Sequence, residues 1–136
     1  MSLTKLFFHC NWSTKLRQPL LTKNLRVILF EHIIYTSEIH SIEILEINGW
    51  IDHVHTLLRL HPSQNLANTI HQLKGESSSW INRNALTEIK FLWQDGYYAE
   101  TINFKELKRI RDYIKNQDMH HRKINYIEEL KNAYWL

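Results

Sequence analysis

Residues 41–60 read SIEILEINGWIDHVHTLLRL, and this stretch decides the fold. Two apolar-rich segments, 41–48 and 52–60, are separated by Asn48-Gly49-Trp50-Ile51. A glycine at such a joint marks a turn, so the pair is expected to form a β-hairpin. On the second strand alternate residues share a face. His53 and His55 then point one way, with Leu57 and Arg59 beyond them. Val54, Thr56, Leu58 and Leu60 point the other way, which suits a core.

Upstream, residues 4–14 are rich in aromatics and read as a strand. Pro19 and Thr22 open a helix whose expected inner face is Leu25, Ile28, Leu29 and Ile33. Downstream, Pro62-Ser63 is read as the start of a second helix, with Leu66, Ile70, Leu73 and Ile81 on one face. A strand follows Asp95-Gly96, from Tyr97 to Ile102. Asn103 with Glu106 resembles a capping box and opens a third helix bearing Phe104, Leu107, Ile110 and Ile114. A short helix is expected near 125–134. The order is strand, helix, strand, strand, helix, strand, helix. That is an α+β chain, a ferredoxin-like βαββαβ sandwich with an antiparallel sheet and an added C-terminal helix. Residues 1–136 are expected to form one domain.

Composition narrows the class. Of 136 residues, 43% are hydrophobic and only three are glycine, which argues against disorder and against a glycine-rich nucleotide loop. No apolar run reaches the roughly 18–20 residues of a membrane span. Residues 1–30 carry no signal-peptide pattern, and one cysteine, Cys10, cannot form an intrachain bridge. A cytoplasmic protein is expected. The net charge of +3 hides segmentation. Residues 1–30 hold five basic residues and no acid, while 31–58 hold five acids and neither lysine nor arginine. Residues 105–123 hold seven basic residues against three acids. Such blocks are either solvated helix faces or a surface that tracks phosphates.

Two constellations carry chemistry. His53 and His55, at i and i+2 on a strand, can meet one divalent ion, or can simply be surface histidines. Tyr113 and Gln117 sit one helical turn apart, on a stripe that continues towards His120 and His121, with Arg109 a turn below. A neutral tyrosine, with a pKa of about 10, is a weak nucleophile. A metal held by two imidazoles and an amide oxygen would help it attack a phosphodiester.

With these residues in view, the chain resembles a single-tyrosine transposase of the HUH (His-hydrophobic-His) endonuclease superfamily. Those enzymes move insertion sequences as single-stranded DNA and have relatives associated with repetitive extragenic palindromes. The resemblance runs through Trp12-Ser13-Thr14-Lys15 with Arg17, Glu46-Ile47-Asn48, Asp52-His53-Val54-His55 and Leu73-Lys74-Gly75. It continues through Ser77-Ser78-Ser79-Trp80-Ile81, Trp93-Gln94-Asp95-Gly96-Tyr97 and Tyr113-Ile114 with Asn116-Gln117 and His120-His121. Trp50-Ile51 stand where the family often has Met-Pro, and Thr56 replaces a common leucine.

The resemblance implies that Tyr113 attacks one DNA strand and forms a 5′-phosphotyrosine link, with no nucleotide cofactor. It implies His53, His55 and Gln117 as metal ligands, with His120 and His121 as candidate assistants. The ion would be Mg2+ or Mn2+, although two imidazoles and an amide by themselves suit zinc or manganese better than magnesium. It further implies a bacterial or archaeal setting, hairpin-ended single-stranded DNA as substrate and a homodimer with merged sheets. Lys15, Arg17, Lys74, Ser77, Ser78, Arg109 and Lys115 are candidate DNA contacts. His9, His32, His40, His61 and His71 are read as background. Two other readings share the same residues: a domesticated relative that binds hairpin DNA or RNA without cutting, and a replication-initiator or relaxase-type nickase.

Overall fold

In the computed structural model, which describes residues 2–117, those residues form four strands and three α-helices, with two short 3-10 turns. They are β1 (Phe7–Ser13), α1 (Lys23–Ile39), β2 (Glu43–Gly49), β3 (His53–Arg59), α2 (Leu66–Arg83), β4 (Tyr98–Ile102) and α3 (Leu107–Lys115). The sheet is antiparallel in the order β2-β3-β1-β4. This is the α+β, ferredoxin-like βαββαβ plan, with α3 added. The expected C-terminal helix near 125–134, like His120 and His121, lies outside the described residues.

Each element follows from local chemistry. The Thr22 side chain accepts from Leu25 N and starts α1. The β2–β3 turn closes through Trp50 N donating to His53 O, 3.0 Å. Gly49 is required there, because a Cβ would collide with the His53 carbonyl oxygen and lie 3.1 Å from Val54 Cα. The Pro62-Ser63 helix start is corrected. Asn65 caps α2, its side chain accepting from Asn68 N, and His61–Gln64 form a turn instead. Asn103 caps as expected, accepting from Lys105 N, but the first turn (Phe104–Glu106) is 3-10. Glu106 does not close a capping box; its carboxylate accepts from Arg109, 2.6 Å away.

The sheet is covered on both faces, which makes β3 buried at every position but Arg59. On one face α1 and α2 seal a core of Cys10, Trp12, Leu25, Leu29, Ile33, Val54, Leu58, Ile70, Leu73 and Ile81. Thr56 joins this face, as the alternation predicts, and donates to Cys10 O. On the other face α3 packs Ile110 and Ile114 onto Phe7, Leu57 and Ile102. One residue expected on the inner face of α1, Ile28, is exposed, and so is Phe104 before α3. Arg26 takes the buried place beside Leu25, donating to Leu21 O and lying over the Trp50 ring. No helix of the described residues is long and apolar enough to cross a membrane.

Candidate active site

Register brings the site together. β1 pairs with β3 so that Asn11 faces His55 and Ser13 faces His53. Directly opposed residues of an antiparallel pair share a face. Phe7, His9, Asn11 and Ser13 therefore line the same face as His53 and His55, and β4 adds Glu100 opposite His9. That is the face α3 covers.

His53 and His55 are fully buried, with ring centroids 5.0 Å apart and planes at 77°. The His53 Nδ1 donates to Asp52 Oδ1 at 2.7 Å, which turns Nε2 inward. The His55 Nδ1 is 2.9 Å from His9 Nε2. Tyr113 is half-buried on α3, its ring edge-on to His55 at 5.8 Å and to His9 at 6.1 Å. α3 ends at Lys115, with Asn116 as its C-cap, and Gln117 follows directly, again in helical conformation. It is buried, and its Nε2 donates to Tyr113 O at 3.3 Å. Its Oε1 is the acceptor end of the amide.

The end of α3 is tied to the hairpin. Asn48 Nδ2 donates to Lys115 O, 3.0 Å, and Asn48 is the register partner of His55. The pairing of β2 with β3 shifts register between Ile44 and Glu46. Arg111 donates to Leu45 O at this irregularity, and Arg111 and Lys115 both lie within 4 Å of Glu46 (3.6 and 3.9 Å). Acidic β2 and basic α3 thus neutralise one another across their contact. Lys108 pairs with Asp112 and Arg109 with Glu106. The basic stripe expected on this helix is largely engaged within the fold, although its side chains remain exposed.

The other candidate DNA contacts lie elsewhere. Lys15 and Arg17 are exposed in a 3-10 turn that follows β1. Lys74 donates to Gln94 O and Gly96 O, 2.8 and 2.6 Å, and so pins the loop before β4. Burial lowers its pKa, with Asp95 opposing that shift. Ser77 is a correction: it is buried, donating to Leu73 O and accepting from Trp93 Nε1. Its hydroxyl serves packing and does not reach the surface. Ser78 donates to Gly75 O and, with His71 and Lys74, lines a cleft of ≈440 Å³ between α2 and Leu92–Tyr97.

The background histidines are not all background. His9 joins the site, which the sequence reading missed. His32 is bonded to Glu76 and stacked on Trp80, and His40 is bonded to Gln72. The clue to His9 was the polar alternation of His9, Asn11 and Ser13 against Phe8, Cys10 and Trp12.

Among the described residues, no three His, Cys, Asp or Glu side chains form a metal-holding group. The candidate donors are the imidazoles of His53 and His55 and the side-chain amide of Gln117, all three buried. That donor set, with each histidine held by its Nδ1, fits a divalent ion that keeps open positions.

Comparison with known proteins places the chain in a family. Two transposases for insertion sequence element IS200, from Salmonella typhimurium (strain LT2) and Salmonella typhi, are each 34% identical over 83 residues, covering 57% of this chain and 53% of theirs. The chain thus spans about half the length of these curated relatives. Two solved structures share the fold. A Deinococcus radiodurans R1 protein assigned to the transposases has TM-score 0.70 at 24% identity, covering 85% of this chain and 93% of that one. A REP-associated tyrosine transposase bound to a REP hairpin has TM-score 0.68 at 17% identity, covering 89% of this chain and 71% of that one. Residues 2–117 match the family described as transposase, IS200-like, and by that match the chain belongs to it.

Proposed function

We propose that this chain is a transposase that cuts and rejoins single-stranded DNA at hairpin ends, with Tyr113 as nucleophile. The observation that carries the reading is the placement of the Tyr113 ring edge-on to His55 at 5.8 Å, with Gln117 buried one turn on. The hairpin partner is favoured by the fold neighbour described with a REP hairpin. A second copy joining at a sheet edge, and an intracellular setting, follow from the family resemblance.

In this reading the phenolic oxygen of Tyr113 forms a new bond to phosphorus. The bond to the 3′ oxygen breaks. That oxygen takes up a proton from solvent and leaves as a 3′-hydroxyl, while the phenol proton passes to solvent. The 5′ side stays linked to Tyr113, and attack by a 3′-hydroxyl reverses the step and joins strands. The phosphodiester energy is conserved, so no nucleotide cofactor is required. His53 and His55 through their Nε2 atoms, with Gln117 through Oε1, would hold a divalent ion, Mg2+ or Mn2+. When bound, such an ion supplies charge neutralisation at a non-bridging phosphate oxygen. The Gln117–Tyr113 hydrogen bond ties the nucleophile's backbone to the ligand set.

The test is incubation with single-stranded hairpin DNA and Mn2+, followed by denaturing electrophoresis. A covalent protein–DNA adduct is expected with the wild type and none with Tyr113→Phe. An adduct that persists in Tyr113→Phe, or hairpin binding with no adduct under any metal, refutes the reading; the latter outcome favours a binding protein.

A further inference from the structure

The two histidines of the hairpin are oriented by different partners. His53 donates its Nδ1 proton to a carboxylate, Asp52 Oδ1, at 2.7 Å. The Nδ1 of His55 faces a different kind of group. Its neighbour is another imidazole, His9 Nε2, at 2.9 Å, and both rings are buried. Only one proton can lie between two such nitrogens. If it belongs to His9, the Nδ1 of His55 is an acceptor and the proton of His55 sits on Nε2, which then cannot ligate. If it belongs to His55, then Nε2 of His55 carries a lone pair. His9 must in that case carry its own proton on Nδ1.

The surroundings of His9 select between the two. Its Nδ1 faces Glu100 Oε1 at 3.7 Å, across the β1–β4 register that places His9 opposite Glu100. The Tyr98 hydroxyl donates to the other oxygen of the same carboxylate, 3.4 Å, and so helps to fix it. A carboxylate favours an N–H pointing towards it. We propose that Glu100 and His9 act as a positioning pair that holds His55 in the Nδ1–H form and so presents its Nε2 to the metal. The chain is Glu100 carboxylate, His9 Nδ1–H, His9 Nε2, His55 Nδ1–H, His55 Nε2. It does for His55, through one intervening ring, what Asp52 does for His53 directly. Partners of this kind set the tautomer and ring orientation of metal-bound histidines.

The inference rests on the reading of His53 and His55 as ligands, and its test separates the two. Long-range 1H–15N NMR of the metal-free wild type reads the ring protonation of His55 directly. The Nδ1–H pattern is expected; an Nε2–H pattern overturns the proposal. Mn2+ binding by calorimetry is then measured on His9→Phe, His9→Gln, Glu100→Gln and His55→Ala, each checked for native circular dichroism. His9→Phe is expected to bind about 10–100-fold more weakly than wild type, the usual cost of losing such a partner. His9→Gln, whose amide oxygen can accept from His55, is expected to recover most of that loss, and Glu100→Gln to fall between. Unchanged affinity in His9→Phe, with affinity lost in His55→Ala, overturns the positioning pair and leaves the ligand reading standing. Unchanged affinity in His55→Ala refutes the ligand reading, and the pair's role towards metal falls with it.

Discussion

Replacing Ile114 by alanine isolates the attachment of α3. Ile114 is fully buried among Phe7, Leu57, Ile102 and Ile110, a cluster separate from the larger core on the other face of the sheet. The helix runs only from Leu107 to Lys115, too short to persist alone, since isolated helices under about 12–15 residues are marginal in water. Its hold on the sheet is therefore tertiary. The ion pairs of Arg111 and Lys115 with Glu46 are partly exposed, and pairs of that kind contribute about 0–1 kcal/mol each. Ile114→Ala removes three buried carbons, about 2.4 kcal/mol at ~0.8 kcal/mol per group, and a cavity term brings the loss to about 3 kcal/mol. Native-state hydrogen exchange reads this locally. The amides of α3 are expected to lose about 100-fold in protection, since ~1.4 kcal/mol is tenfold, while those of β3 lose far less. With Tyr113 as the proposed nucleophile, DNA adduct formation is expected to fall in parallel, because Tyr113 leaves His55 when α3 opens. A loss shared equally by α3 and β3, or one below about 1 kcal/mol, refutes the reasoning that α3 opens as its own unit.

Three further outcomes are expected. Gly49→Ala forces the turn of the histidine hairpin apart at the His53 carbonyl and is expected to cost about 1–3 kcal/mol or more in urea unfolding; an unchanged midpoint refutes the close approach. Burial pushes the Cys10 thiol up to about 12, so at pH 8 it stays neutral and resists thiol reagents until the protein unfolds. Because the unfolded thiol ionises near 9.0 and the folded one does not, Cys10 makes stability fall as pH rises from about 9 towards 12, by up to ~1.4 kcal/mol per pH unit. A Cys10→Ala variant should lack that component, and identical slopes over pH 9–11 refute it. Lys74→Ala removes both hydrogen bonds to the Gln94–Gly96 backbone, and faster proteolysis or amide exchange of that loop is expected; no change would show that the loop holds itself.

The parts of the fold legible in advance were those with strong local chemistry. Thr22 and Asn103 are caps that work within a few residues, and Gly49 marks a turn whose need for glycine is local. The start of α2 was misplaced because Pro62-Ser63 looks like a helix opening, whereas Asn65 supplies the bonded cap. Ile28 was placed on the inner face of α1 by helical spacing, yet it is exposed. What fixes its exposure is where the helix meets the sheet, and periodicity does not carry that. The stripe of Tyr113 and Gln117 was visible by spacing, but the burial of Gln117 was not, because it depends on α3 lying across β3.

By itself the sequence determined the element order, the shared face of His53 and His55, and the one-turn spacing of Tyr113 and Gln117. These are consequences of backbone period, two along a strand and close to four along a helix. Tertiary structure alone decided what stands opposite those residues. The β1–β3 register sets His9 beside His55, the β1–β4 register sets Glu100 beside His9, and the packing of Ile110 and Ile114 lays Tyr113 over both imidazoles. Register and docking are selected by burial summed over whole faces. A histidine in β1 thus becomes part of the site only when the sheet closes around it.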